Sequence, residues 1–298
     1  MFKQILVPLD GSHLAEAALA PAALFAQTLG APVTLLHIIE QDARHEVHKD
    51  RHLTEVEEAQ AYLREAAQRA FPAGIKVKTH VHSAAVEDVA QSIVQHAQVE
   101  FEPDLIVMCT HGRGGMRDLL FGSIAQQVVA QGVTPLLLVR PKDSQPAFEL
   151  KKIFVPLDSE SLHDESLPLS EELAHAFNAE LYLFSVIPTF GTLAGEQAAT
   201  GSLLPVTTTA LLNIKEENAR EHLQGHLDAL HAAGLRAMAE VARGDPASEI
   251  VKSAEKTESD LIVLCTHRRA GMGAFWARSV APKVANHTTL PLLLIPLK

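Results

Sequence analysis

The chain repeats itself. Ile5-Leu6-Val7-Pro8-Leu9-Asp10 returns as Ile153-Phe154-Val155-Pro156-Leu157-Asp158. Asp104-Leu105-Ile106-Val107-Met108-Cys109-Thr110-His111 returns as Asp260-Leu261-Ile262-Val263-Leu264-Cys265-Thr266-His267, and Pro135-Leu136-Leu137-Leu138-Val139 returns as Pro291-Leu292-Leu293-Leu294-Ile295. Three matches in one order mark a duplicated domain of roughly 140 residues, an ordinary domain size. The duplication constrains the fold twice over, because whatever one half adopts the other must adopt as well. It also makes the halves comparable. A chemical feature kept in one and lost in the other bears on function.

Both halves alternate short apolar runs with amphipathic stretches. The first half reads as strand 5–9, then a helix capped by Ser12 and running to Leu29, with Pro21 as a kink and Gly30 as its end. Strand 33–39, helix 53–71, strand 76–82, helix 86–98 and strand 105–109 follow, then helix 123–131 and strand 136–139. The second half repeats the order as strand 153–157, helix 162–177, strand 181–187, helix 213–233, strand 235–242, helix 248–257, strand 261–265, helix 280–287 and strand 292–295. Strands apolar on both faces, separated by helices, predict a parallel sheet with helices on each side. With right-handed crossovers the fold class is α/β, two repeated doubly wound, Rossmann-like domains of five parallel strands each. The divisions expected are a first domain over 1–141, a linker over 142–149 and a second domain over 150–298. The last strand of each half is apolar and lies at a sheet edge, which invites pairing. The two edges are expected to pair with each other, giving a pseudo-dimer within one chain.

Bulk properties remove several function classes. The 298 residues carry 47% hydrophobic residues and a formal charge of -11, with no run of Lys or Arg. That balance argues for two real cores and against a nucleic-acid partner. No apolar run approaches the roughly 18 residues of a membrane span. The first strand pattern starts at Phe2, so no signal peptide is expected, and two cysteines give no disulfide framework. The expectation is a soluble cytoplasmic protein.

In an open doubly wound sheet, ligands sit beyond the carboxyl ends of the strands, where strand order reverses. Asp10-Gly11-Ser12 follows the first strand, and a glycine-rich stretch from Gly112 to Ser123 follows the fourth. Glycines let backbone N–H groups approach a phosphate, and a helix starting at Ser123 offers further donors. The first strand is not followed by G-x-G-x-x-G, and no G-x-x-x-x-G-K-[ST] occurs anywhere.

At these residues the chain resembles the universal stress protein family, whose members carry a V-P-x-D start and a G-x2-G-x9-G-[ST] signature. Here the signature reads Cys109-x2-Gly112-x9-Gly122-Ser123, with Cys109 in place of the first glycine. The resemblance covers both halves. It implies strand order 3-2-1-4-5 and an ATP or AMP site, with or without Mg, in the first half. Pro8, Asp10, Ile38, Cys109, Gly112, Gly122 and Ser123 are the residues implied to bind it. Asp10 would lie by the ribose and any phosphate-bound metal, and the Ile38 backbone would meet the adenine edge. Gly112, Gly122 and Ser123 would hold phosphates. In the second half the signature reads Cys265-x2-Arg268-x9-Arg278-Ser279, so two glycines have become arginines. An arginine cannot supply the same close backbone approach. The second half is therefore expected to be degenerate, with an altered anion site as the alternative.

The function expected is a stress-response regulatory or binding module. The rivals are a nucleotide-free scaffold acting through protein partners and a weak ATP-hydrolysing enzyme. An ATP-using enzyme of the related adenine nucleotide α-hydrolase type would want an S-G-G-x-D-S-type loop after strand one, which Asp10-Gly11-Ser12-His13 does not supply. A homodimer is left open.

Four features carry less weight. Asp10, His111 and Ser123 have the letters of a triad without a G-x-S-x-G elbow. His45, His48 and His52, with His37, His80 and His82, read as solvated rather than metal-binding, so no metal ligand is assigned. Cys109 and Cys265 read as small buried thiols rather than redox sensors. A 25-residue insertion over 188–212 reads as a loop, either a lid or a partner-binding arm.

Overall fold

Apolar runs without alternation become buried strands. The computed structural model describes residues 1–41, 46, 47, 50–110, 122–141, 148–158, 164–193, 195–266 and 280–297. In β1 (Ile5–Pro8), Ile5, Leu6 and Val7 are fully buried. A 3-10 turn (Ala15–Ala18) leads into α1 (Leu19–Leu29), β2 (Val33–Glu40) and a small hairpin of β3 (Glu46–Val47) and β4 (Asp50–Arg51). Then come α2 (Val56–Ala70), β5 (Val77–Val86), α3 (Val89–Gln95) with a π turn (His96–Glu100), β6 (Leu105–Cys109), α4 (Ser123–Gln131) and β7 (Leu136–Val139). The second half supplies β8 (Lys152–Pro156), α5 (Ser166–Phe177), β9 (Glu180–Ile187), a 3-10 turn (Phe190–Thr192), α6 (Glu196–Leu203) and α7 (Pro205–Ala232). It closes with β10 (Ala237–Arg243), α8 (Pro246–Lys256), β11 (Leu261–Thr266), α9 (Val280–His287) and β12 (Leu292–Pro296). Among the described residues no helix is long and apolar enough to cross a membrane.

The chain divides into two compact units, one of 1–149 with 266–279 and 291–298, the other of 150–265 with 280–290. In the first unit the parallel strands run in the order β5-β2-β1-β6-β7, which is 3-2-1-4-5 when the small hairpin is left out. In the second unit β10-β9-β8-β11 is 3-2-1-4 on the same count. The chain's last strand, β12, lies in the first unit, antiparallel to β7 with Leu292, Leu293 and Leu294 opposite Leu138, Leu137 and Leu136. The expected pairing of the two leucine-rich edges is thus what the fold uses.

The repeated aspartate before strand four has a structural task in both halves. The Asp104 carboxylate accepts the backbone N–H of Lys3 (2.7 and 2.9 Å) and of Gln4 (2.9 Å). Asp260 accepts those of Lys151 and Lys152, both at 2.8 Å. Each carboxylate therefore fixes the entry of its first strand beside its fourth.

Several boundaries differ from the sequence expectation for local reasons. Pro21 falls in the first turn of α1, where its missing N–H breaks no helical bond, so it marks a 3-10 to α junction rather than a kink. Val86 ends β5, and α3 begins only after Asp88, whose carboxylate accepts the Gln91 N–H at 2.9 Å. That N-cap was not weighed from the sequence. The stretch 188–212 is not a loop. It forms the second 3-10 turn, α6 and the first turns of α7, which starts at Pro205 instead of 213. Leu212 and Leu193 anchor it against Ile187, Ala219 and Val241.

Candidate functional site

A crevice opens in the first unit where strand order reverses. β1 pairs with β6 over only two positions, Ile5 with Leu105 and Leu6 with Ile106, and the strands then part. On the other side, β1 pairs with β2 as far as Pro8 and Leu36, while β2 continues to Glu40. The last residues of β2 therefore overhang the end of β1. This is the topological switch point at which doubly wound folds seat ligands. The cavity there is about 100 Å³, several times the roughly 10–15 Å³ one water needs, so it is no packing void.

Six of the seven expected binding residues line this one cavity: Pro8, Asp10, Ile38, Cys109, Gly122 and Ser123. Gly112 lies outside the described residues, as do His45, His48, His111, Arg268, Arg278 and Ser279. Among the described lining residues there is no Lys or Arg, while Asp10 and Glu40 are both present. Among the described residues, the groups there suited to an anion are backbone N–H donors.

Asp10 is held by its own turn. Its Oδ1 accepts the Ser12 backbone N–H at 2.9 Å and the Ser12 hydroxyl at 2.7 Å. The Ser12 Oγ in turn accepts the Ala15 N–H at 3.2 Å, but it does not cap α1 as expected: that helix begins at Leu19, after Ala18, with no side-chain cap. Ser12 is fully buried. Gly11 sits at φ +88, and a Cβ there would stand 2.8 Å from Leu53. Only glycine turns the chain so sharply under that side chain.

His37 forms the floor, although the sequence groups it and His52 with solvated histidines; both are buried. The His37 Nδ1 lies 2.8 Å from the Leu9 carbonyl and its Nε2 3.0 Å from the Leu53 carbonyl. Only a protonated ring nitrogen donates to a carbonyl, so the ring bridges the exit of β1 and the chain before α2 through whichever nitrogen carries the proton. The strand registers place Ser185 at the matching point of the second half, because Val33 and Leu181 pair with Ile5 and Ile153 respectively. His52, also buried, lies on the cavity with Nε2 3.9 Å from Glu40 Oε2.

At the other end, Gly122 is the N-cap of α4 and Ser123 its first residue. No acidic residue occupies that first turn, and Gly122 to Ala125 line the cavity, so the positive end of the helix borders it. Cys109 ends β6, buried and free of any disulfide. In the second half, burial pushes the Cys265 thiol up to about 11, with Glu165, Asp158 and Asp164 adding to the shift. A sensing cysteine needs the opposite shift.

Two clusters outside the cavity have metal-ligand chemistry. In the first unit His80, His82 and His96 converge. The Nδ1–H of His96 donates to the Ser92 carbonyl at 2.8 Å, and Glu100 stands 3.6 Å from His80 and 3.4 Å from His96. Burial holds His80 and His82 below the usual histidine pKa. In the second unit Asp164, His222 and His226 converge. The sequence reading passed over His222-x3-His226, although that spacing puts both rings on one helix face.

A parallel α/β layer with a cavity at its switch point defines a doubly wound fold. The model of the universal stress protein family matches residues 1–140 and again 149–296. A universal stress protein of Mycolicibacterium smegmatis is 22% identical over 98% of this chain and 96% of its own length. One from Thermus aquaticus is 33% identical over 47% of this chain and all of its own length. The crystal structure of a universal stress protein from Archaeoglobus fulgidus superposes with a TM-score of 0.70 at 16% identity, over 98% of this chain and 96% of that one. The chain therefore belongs to the universal stress protein family, with two family domains in tandem.

Proposed function

We propose that the protein is an adenine nucleotide-binding module of the stress response, with one ATP or AMP site in the cavity of the first half. The convergence of Asp10, Ile38, Gly122 and Ser123 on a single switch-point cavity carries this reading. The overhanging end of β2 offers backbone at Ile38 to an adenine edge, and the Asp10 carboxylate, oriented by Ser12, suits ribose hydroxyls or a phosphate-bound Mg. The first turn of α4 suits phosphate. The domain divisions, a cytoplasmic location and a degenerate second site belong to the same proposal. Denaturing the purified protein and chromatographing the supernatant tests it. Released ATP or AMP supports the reading, whereas steady turnover with a second substrate would favour an enzyme.

A second reading has its own observation. Leu203, Val206, Leu211 and Ile214, at the junction of α6 and α7, are more than half exposed. Apolar side chains gathered on one inserted segment suit a protein partner. On this reading the nucleotide site would be unused, and the chromatography would find nothing released.

A further inference from the structure

We propose that Asp164, His222 and His226 form a site for a divalent transition-metal cation of the zinc class. His222 and His226 are one turn apart on α7, so both rings project from the same helix face. Asp164 lies in the turn before α5, where its carbonyl accepts the Leu167 N–H at 2.9 Å. His222 Nε2 is 3.2 Å from Asp164 Oδ1, His226 Nε2 is 3.0 Å from Oδ2, and the two Nε2 atoms are 3.3 Å apart. The rings meet edge to face, with centroids 4.6 Å apart.

These separations are those of a ligand face. Bonds of about 2.0–2.1 Å in a tetrahedron set neighbouring ligand atoms about 3.3–3.4 Å apart. Two imidazoles and one carboxylate suit zinc or a neighbouring first-row divalent ion, and exclude a hard ion that prefers oxygen alone. All three side chains are about one-fifth exposed, at 19–23%, which leaves a fourth position for water. Asp164 Oδ2 also lies 3.1 Å from His222 Nε2, so one carboxylate oxygen and the two ring nitrogens form a triangle of ligand-face size.

The duplication supplies an internal comparison. Asp164 stands six residues after Asp158, as Glu16 stands six after Asp10. In the first half that carboxylate pairs with Arg69 of α2, Oε2 to Nη2 at 2.6 Å. In the second half the helix before the third edge strand presents two imidazoles instead of a guanidinium. A bound cation would restore the missing charge and clip the turn after β8 to α7. The site is independent of the nucleotide reading.

The test uses the full chain, stripped with a chelator and titrated with Zn2+ alone by calorimetry. A His222→Gln/His226→Gln variant should lose one zinc equivalent, with affinity falling roughly 100-fold or more, at least as much as the loss of an outer-shell partner costs. A His80→Gln/His82→Gln variant should keep that equivalent. Thermal denaturation without metal checks that each variant folds. A measurement on the unaltered protein guards against a misfolded variant: zinc should shift the imidazole nitrogen resonances of His222 and His226. Wild-type stoichiometry and affinity in the first variant, no zinc binding by the wild type, or shifts confined to His80, His82 and His96 would each overturn the proposal.

Discussion

Replacing Asp10 by asparagine and by alanine separates its two tasks. The carboxylate accepts two bonds from Ser12 and, on the nucleotide reading, one or more from the ligand. Asparagine keeps an Oδ1 acceptor for Ser12 but removes the charge. A charge-assisted hydrogen bond contributes about 1.5–3 kcal/mol and a neutral one about 0.5–1.5 kcal/mol. Asp10→Asn should therefore cost about 1–2 kcal/mol of nucleotide affinity, roughly 5- to 30-fold. Asp10→Ala should cost about 1.5–3 kcal/mol, roughly 10- to 150-fold. Alanine also orphans Ser12, which is fully buried, at a stability cost of about 1–3 kcal/mol. The Ser12 contacts therefore make alanine a test of stability as well as of binding. Calorimetric titration with ATP gives the affinities and urea denaturation the stabilities. Asp158→Asn is the control, since Asp158 follows the equivalent strand. A folded Asp10→Asn protein with wild-type affinity, or an equal loss in Asp158→Asn, would refute the assignment.

Two further substitutions test the frame around the cavity. Gly11→Ala should destabilise by about 1–3 kcal/mol, through its positive φ and the approach to Leu53. Gly74→Ala, at φ +107 with nothing within 4 Å of a new Cβ, should cost less by the same urea assay. His80 and His82 are held below the ordinary value of 6.5 chiefly by burial. The unfolded chain then takes up protons before the folded one, so their contribution is present above pH 6.5 and lost as pH falls below it. Stability should drop between about pH 7 and 5, and His80→Gln/His82→Gln should flatten that drop. An unchanged slope would remove these residues from the account.

The parallel sheet was legible because its central strands are unbroken aliphatic runs, and the switch point because the duplication marks the first and fourth strands. Local competitors hid the rest. The run Thr207-Thr208-Thr209, with nearby glycines, disguised the first turns of α7, although Pro205 at their start is a helix-entry residue. Asp88 reads as a charged surface residue until its carboxylate is seen capping α3. His37 and His222-x3-His226 were hidden for opposite reasons. The first lies within an apolar strand, where both its partners are carbonyls brought in by distant chain. The second sits on a polar helix face, and its carboxylate partner comes from a different element.

The central claim, one nucleotide site in the first half, is tested most directly by titrating ATP and AMP into the full chain and into Gly122→Arg. Gly122 caps α4 at one end of the cavity, where the proposal seats phosphate, and the substitution copies the residue that Arg278 places in the second half's signature. One nucleotide per chain for the wild type, and none for a folded Gly122→Arg protein, is the result predicted. Two equal sites per chain, or binding unchanged in Gly122→Arg, would contradict it.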